Sequence, residues 1–191
     1  VPGRDIFVQA WYQGGISIMD FTDSANPYEI AFFDRGPMLE DSLLSGGFWS
    51  TYFYRGFVYG TEMVRGLDVL ELLPSEYLSA NEIDAAKLAF PKHGPKNIFN
   101  PQQQTEMTWP ISPTLALAYL DQVKREGSID NNNEEILRSS LIGLESRTSP
   151  ENHKIFSIIK EFSELGSSKF TQNSEKTSVL QNVLKELTSK A

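Results

Sequence analysis

Over residues 1–72 the apolar positions fall in short runs, rich in aromatic and β-branched side chains and broken by Gly, Asn, Asp and Pro. The clearest case is a pair of runs. Residues 57–61 are aromatic and β-branched, residues 67–72 are almost continuously apolar, and the polar stretch between them ends on Gly66. That is a β-hairpin pattern. Leu67, Leu70 and Leu72 fall on both faces of the second strand, which predicts a sheet covered on both sides. Four more strands are predicted over 6–10, 15–21, 28–33 and 48–54. Asx, Ser and Pro residues at 22–27 bond their own backbone or fix φ to make one turn, and Asp34-Arg-Gly-Pro37 ends the third strand.

The hairpin has an earlier copy. Gly66-Leu-Asp-Val-Leu-Glu-Leu72 aligns without a gap on Gly15-Ile-Ser-Ile-Met-Asp-Phe21, 51 residues upstream, and residues 57–61 align on 6–10. Self-similarity at a fixed period is the mark of stacked β units. Six short strands in two groups of three suggest, with four-stranded blades, a propeller cut open.

These residues resemble the LVIVD-repeat signature, in which a Gly-Leu-x-Val-hydrophobic-Asp strand precedes an Asp-Pro-containing turn and the next strand. The matching segments are Gly15-Ile-Ser-Ile-Met-Asp-Phe-Thr-Asp-Ser-Ala-Asn-Pro27 and Arg65-Gly-Leu-Asp-Val-Leu-Glu-Leu72, and the resemblance covers residues 6–72. It implies a β-propeller of secreted or cell-surface bacterial and archaeal proteins, most of them without an assigned activity. The second copy departs from the pattern, with Leu73-Pro-Ser-Glu76 in place of the Asp-Pro turn and no strand after it. The resemblance therefore implies a last blade, completed by N-terminal blades absent here, as ring closure in propellers requires. A start at Val1 without Met fits the expectation of a truncated or processed end.

Beyond residue 72 the spacing turns helical. Ser79-Ala-Asn-Glu82 has the form of a capping box, opening a short helix that Pro91 stops near residue 90. Residues 91–113 hold five prolines and three consecutive glutamines, which reads as an extended linker lying along the propeller through Ile98, Phe99 and Trp109. Ser112-Pro113 gives an N-cap followed by Pro at the first helical position, with Gly127 past the far end and Leu115, Tyr119, Leu120 and Val123 as the apolar stripe. Three further helices are predicted over 133–146, from Ser149-Pro150 to Gly166, and over 174–189. Helices this short are marginal alone, so a small antiparallel bundle is expected. The segment from Tyr119 to Ile129 is similar to small helical modules appended to secreted bacterial proteins, which implies an accessory role.

Composition sharpens the division. Residues 1–72 carry 14 of the 22 aromatics and 9 of the 13 glycines. The expected organisation is a β-propeller fragment over 1–74 (the last one to two blades), a short helix and Pro-rich linker over 75–112, and a helical bundle over 113–191. A net charge of −8 argues against nucleic-acid or anionic-membrane partners, which need a basic footprint. No apolar run approaches the roughly 20 residues of a membrane span. Cysteine is absent, which removes disulfides, thiol nucleophiles and Cys-based metal sites.

Little in the chain points to catalysis. His93 sits in the linker and His153 opens a predicted helix beside Glu151; both read as surface residues. There is no Gly-x-Ser-x-Gly elbow, no histidine in the β part and no phosphate-binding glycine pattern. The candidate binding cluster is Glu62, Arg65 and Asp68 in the second hairpin with Asp34 and Arg35 after the third strand. At a propeller rim such residues could hold a divalent cation through carboxylate oxygens or a substrate carboxylate through the Arg fork. The simpler expectation is Asp–Arg or Glu–Arg pairs tying loops together. Trp11, Tyr12, Trp49, Tyr52 and Tyr54 could line a binding face, although such strand aromatics more often form core between blades. The expected function is binding or assembly with a protein or cell-surface ligand, secreted or at the cell surface, with no cofactor beyond that cation. The alternative is an extracytoplasmic enzyme whose active site the absent blades complete.

Overall fold

The computed structural model of the chain describes residues 1–37, 39–42, 45–92, 106–146, 152–164 and 166–189. His93, Glu151, the linker residues 93–105 with Ile98 and Phe99, and the Ser149-Pro150 start signal lie outside them. The architecture is mixed β and α, with three small antiparallel sheets and five helices. Strands β1 (Ile6–Ala10), β2 (Ile16–Asp20) and β3 (Tyr28–Phe33) form one sheet in that order, and β4 (Phe48–Tyr54), β5 (Phe57–Glu62) and β6 (Gly66–Glu71) form a second. The chain divides into two compact units, Gly3–Leu88 and Ala89–Ala191.

In the first unit, the repeat holds at the level of strand register. Ile6 faces Asp20 and Ala10 faces Ile16 in the first hairpin, while Phe57 faces Glu71 and Thr61 faces Leu67 in the second. Each pair in the first hairpin recurs in the second shifted by 51 residues. The third strand differs: β3 follows the first hairpin, whereas β4 precedes the second.

The two sheets bury opposite faces of this repeat. Opposite residues in an antiparallel ladder share a face, so Ile6, Val8, Ala10, Ile16, Ile18 and Asp20 form one face of the first sheet. Their counterparts in the second sheet are Phe57, Tyr59, Thr61, Leu67, Val69 and Glu71. We call this the front face. The front of the first sheet packs on the back of the second, where Val58, Gly60 and Glu62 point inward. Gly60 lies where the two faces pack tightly. A Cβ there would lie 2.7 Å from the Phe48 ring and 2.8 Å from Ile16 Cδ1, so any side chain at this position would push the two layers apart. Phe33 and Phe48 close the interface edge to face at 6.0 Å.

The expectation that residues 67–72 are covered on both sides is overturned. β6 is an edge strand paired only with β5, and its front face carries Leu67 at 63 % exposure where the equivalent Ile16 is 1 % exposed. An apolar run on both faces looks the same in sequence whether or not a second layer covers it.

Helix α1 (Ala80–Lys87) packs Ile83 into the same core with Leu78 from the segment before it. Its capping box forms as the sequence predicts: Ser79 Oγ accepts from the Glu82 N–H at 3.1 Å and Glu82 Oε2 accepts from the Ser79 N–H at 2.8 Å. The helix ends at Lys87 rather than near 90, and Phe90–Pro91 instead forms a strand. Glu82 has a second task that its sequence context does not show. Its Oε1 accepts from Arg4 Nη1 at 2.8 Å, while Arg4 Nε donates to Asp20 Oδ2 at 2.8 Å and Nη1 to the Tyr77 carbonyl at 2.8 Å. All three charged side chains are buried. Burial alone would push the Asp20 carboxyl up, but hydrogen bonds from Thr22 and the Arg4 guanidinium outweigh it and hold it below the usual carboxylate range.

In the second unit β7 (Phe90–Pro91) and β8 (Met107–Thr108) pair as a two-residue ribbon. Helices α2 (Pro113–Arg125), α3 (Asn131–Ser146), α4 (Asn152–Ser163) and α5 (Glu175–Ser189) each pack on the next, and α5 packs on α2. Their core is Leu120, Val123, Leu137, Leu141, Ile159, Phe162, Leu180 and Leu184. Ser112 Oγ caps α2 by accepting from the Leu115 N–H at 3.2 Å, with Pro113 at the first helical position, and Ser174 caps α5 through the Thr177 N–H at 3.1 Å. Among the described residues no helix is long and apolar enough to cross a membrane.

Candidate functional site

At one end of the two sheets, the β1–β2 turn, the segment after β3, the start of β4 and the β5–β6 turn meet around a shallow cleft. Gly15, Asp34, Arg35, Gly47, Glu62 and Arg65 contribute to it. Four of the five candidate residues thus converge, and Asp68 stands on β6 behind Arg35. The backbone that shapes the cleft is tight. Tyr12 and Phe48 exchange backbone hydrogen bonds of 3.2 and 2.9 Å across the sheets. Gly47 sits at φ +91°, and a Cβ there would fall 2.0 Å from the Tyr12 carbonyl carbon.

Each candidate side chain has a local task. Glu62 Oε1 accepts from the Gly47 N–H at 2.7 Å, and Oε2 accepts from the N–H groups of Val64, at 3.1 Å, and Arg65. Burial pushes the Glu62 carboxyl up, but the backbone donors of Arg65, Gly47 and Val64, with the Arg65 charge, hold it below its ordinary value. Arg35 Nη2 donates to Asp68 Oδ1 at 2.6 Å and its guanidinium lies 5.2 Å from the Phe33 ring centre, so it ties the loop after β3 to β6. Asp34 Oδ1 accepts from the Gly36 N–H at 2.8 Å in an Asx turn. Arg65 is exposed and makes no ion pair among the described residues.

The cleft is shallow, and its enclosed part holds about 20 Å³, room for a water molecule. No histidine stands in residues 1–92 to serve as acid or base there. Among the described residues no group of three His, Asp or Glu side chains comes together as a metal-binding set. His153 lies exposed in the first turn of α4.

The other feature of the unit is larger and apolar. The front of the second sheet presents Tyr52, Tyr54, Phe57, Leu67 and Val69 to solvent, with the Ser50 and Thr61 hydroxyls bonded to each other at 2.8 Å. Beside it Trp49 is 66 % exposed, edge to face with exposed Tyr12 at 6.0 Å, and Trp11 is exposed as well. The aromatics expected as core between blades are therefore surface. Their sheet has a layer on one side only.

Set against protein-family models, curated proteins and solved structures, the chain matches none.

Proposed function

We propose that this chain acts by binding. The β unit is two repeats of a propeller-like stack, of the kind the LVIVD-like pattern suggests, whose uncovered front face docks a protein or cell-surface ligand outside the cytoplasm. The helices form an accessory bundle. One observation carries the reading: the front face of the repeat is core in the first sheet and open in the second, so the second sheet carries a surface shaped for packing and left without a layer. The charged cleft supports the same side. An enzyme centred there would use Glu62, which is already committed to three backbone donors that fold its own turn.

The test uses the absence of cysteine. A photoreactive maleimide on Val69→Cys, irradiated with the full chain in its native setting, yields a discrete adduct that Leu67→Lys abolishes. The same reagent on Glu186→Cys, on the exposed side of α5, yields none. Adducts indistinguishable between the two positions would sink the docking reading.

A further inference from the structure

The first unit already contains one instance of the contact that its open face calls for. Within it, a front face of the repeat (Val8, Ile16 and Ile18) lies on a back face (Phe48, Val58 and Gly60). What remains uncovered is one face of each kind. The second sheet's front is open, and so is the first sheet's back, where Phe7, Met19 and Phe32 share a face and Phe32 is 73 % exposed. Each unused face sets large apolar side chains among polar ones, Gln9, Ser17 and Glu29 on the first sheet's back and Ser50, Thr61 and Glu71 on the second sheet's front, and the two belong to opposite sides of the same repeat.

Building on the docking reading above, we infer that the front face of the second sheet takes the back face of the first sheet of another copy of this chain. Shifting the internal contact by one repeat gives the alignment. Ile16 meets Gly60 inside the unit, so its counterpart Leu67 lies over Gln9 of the next copy, the position equivalent to Gly60. Gln9 is larger than glycine, so the sheets of two copies stand farther apart than those within one. The large rings at this contact, Phe7 and Phe32 on one side and Tyr52 and Tyr54 on the other, fill that extra depth. Neither open face is self-complementary in this scheme. The contact is head to tail, one face of each kind per copy, and repeats into a ring or a filament according to its rotation. A front-to-front dimer would leave both back faces bare and use a pairing the fold nowhere shows.

Complementary surface variants separate these schemes. Leu67→Lys with Val69→Lys blocks the front, and Phe7→Glu with Phe32→Glu blocks the back. Because Phe7 also touches the Phe21 ring at 5.8 Å, Phe32→Glu alone serves as a second back-face variant that spares that contact. Light scattering on the wild-type chain gives a mass that rises with concentration. Each blocked variant keeps the mass of one chain, and an equimolar mixture of front-blocked and back-blocked chains reaches twice that mass through the one intact face each retains. A back-blocked chain that still dimerises by itself shows front pairing with front and overturns the inference. So does a wild-type chain that keeps the mass of one copy at every concentration. If that monomer still gives the Val69→Cys adduct to a different protein, only the copy-to-copy inference fails; if it gives none, the docking reading fails with it.

Discussion

Ile18 is 5 % exposed and Val69, the same position in the second copy of the repeat, is 54 % exposed. The two residues hold the same register in the aligned hairpins, although β2 is the middle strand of its sheet and β6 an edge strand. They differ also in what lies across the sheet face. For Ile18 it is the back of the second sheet; for Val69 it is solvent.

The sheet-to-sheet contact has its own test at Gly60. A methyl group there meets Phe48 and Ile16 at under 3.0 Å, so Gly60→Ala forces the layers apart. Overpacking of this kind costs about 1–3 kcal/mol. Denaturant unfolding followed by the fluorescence of Trp11 and Trp49, with Trp109 replaced by Phe in both chains compared, should show that loss. An unchanged midpoint would mean the sheets do not meet at Gly60.

The buried Arg4 holds strand and helix together through two carboxylates. Removing one partner of a buried ion cluster costs about 3–5 kcal/mol, because the charges left behind are neither paired nor hydrated. Arg4→Leu should therefore destabilise the first unit by that amount. Adding Asp20→Asn and Glu82→Gln to the same chain should recover much of it. Equal stability of the single and triple variants would contradict the cluster.

The same carboxylate sets an acid limit. Asp20 is held below its ordinary value in the folded chain, so the unfolded state binds its proton more readily. Its contribution is complete above the unfolded carboxylate pKa of about 4 and is lost as pH falls through the folded value. Glu62 shifts in the same direction and acts in the same sense. Stability of the first unit should be flat from neutral pH down to about 5 and fall below about 4, with a shallower fall in Asp20→Asn.

Much of this fold is legible in the chain. The capping box at Ser79 and Glu82, the Ser112-Pro113 helix start and the 51-residue repeat are local patterns, and each reports a local hydrogen-bond or register requirement. Two things were not legible. Arg4 is separated from Asp20 by 16 residues and from Glu82 by 78, and nothing near any of them marks the cluster. Which face of residues 67–72 is buried depends on the partner layer, since both faces are apolar. The candidate site was half legible: Asp34, Arg35, Glu62 and Arg65 do line one cleft, but the backbone donors that occupy Glu62 have no signature in sequence.

Glu62 accordingly behaves as a turn residue. Glu62→Ala should lower Tm and speed amide exchange at Gly47, Val64 and Arg65, and Glu62→Gln should do so less because it keeps an acceptor. Neither should alter binding at the open front face. A loss of adduct formation at position 69 in a Glu62→Ala chain that remains folded would move the site back to the cleft.

The most direct measurement compares two single cysteines in a chain that has none. Val69→Cys and Ile18→Cys occupy equivalent positions of the repeat, and their reaction with a small thiol reagent is timed in dilute native protein. The thiol at 69 should react at close to the rate of a free cysteine and the one at 18 on the order of 100-fold more slowly, because it must wait for local opening of the core. Equal protection at both positions would show that the front of the second sheet is covered within one molecule, and would contradict the account.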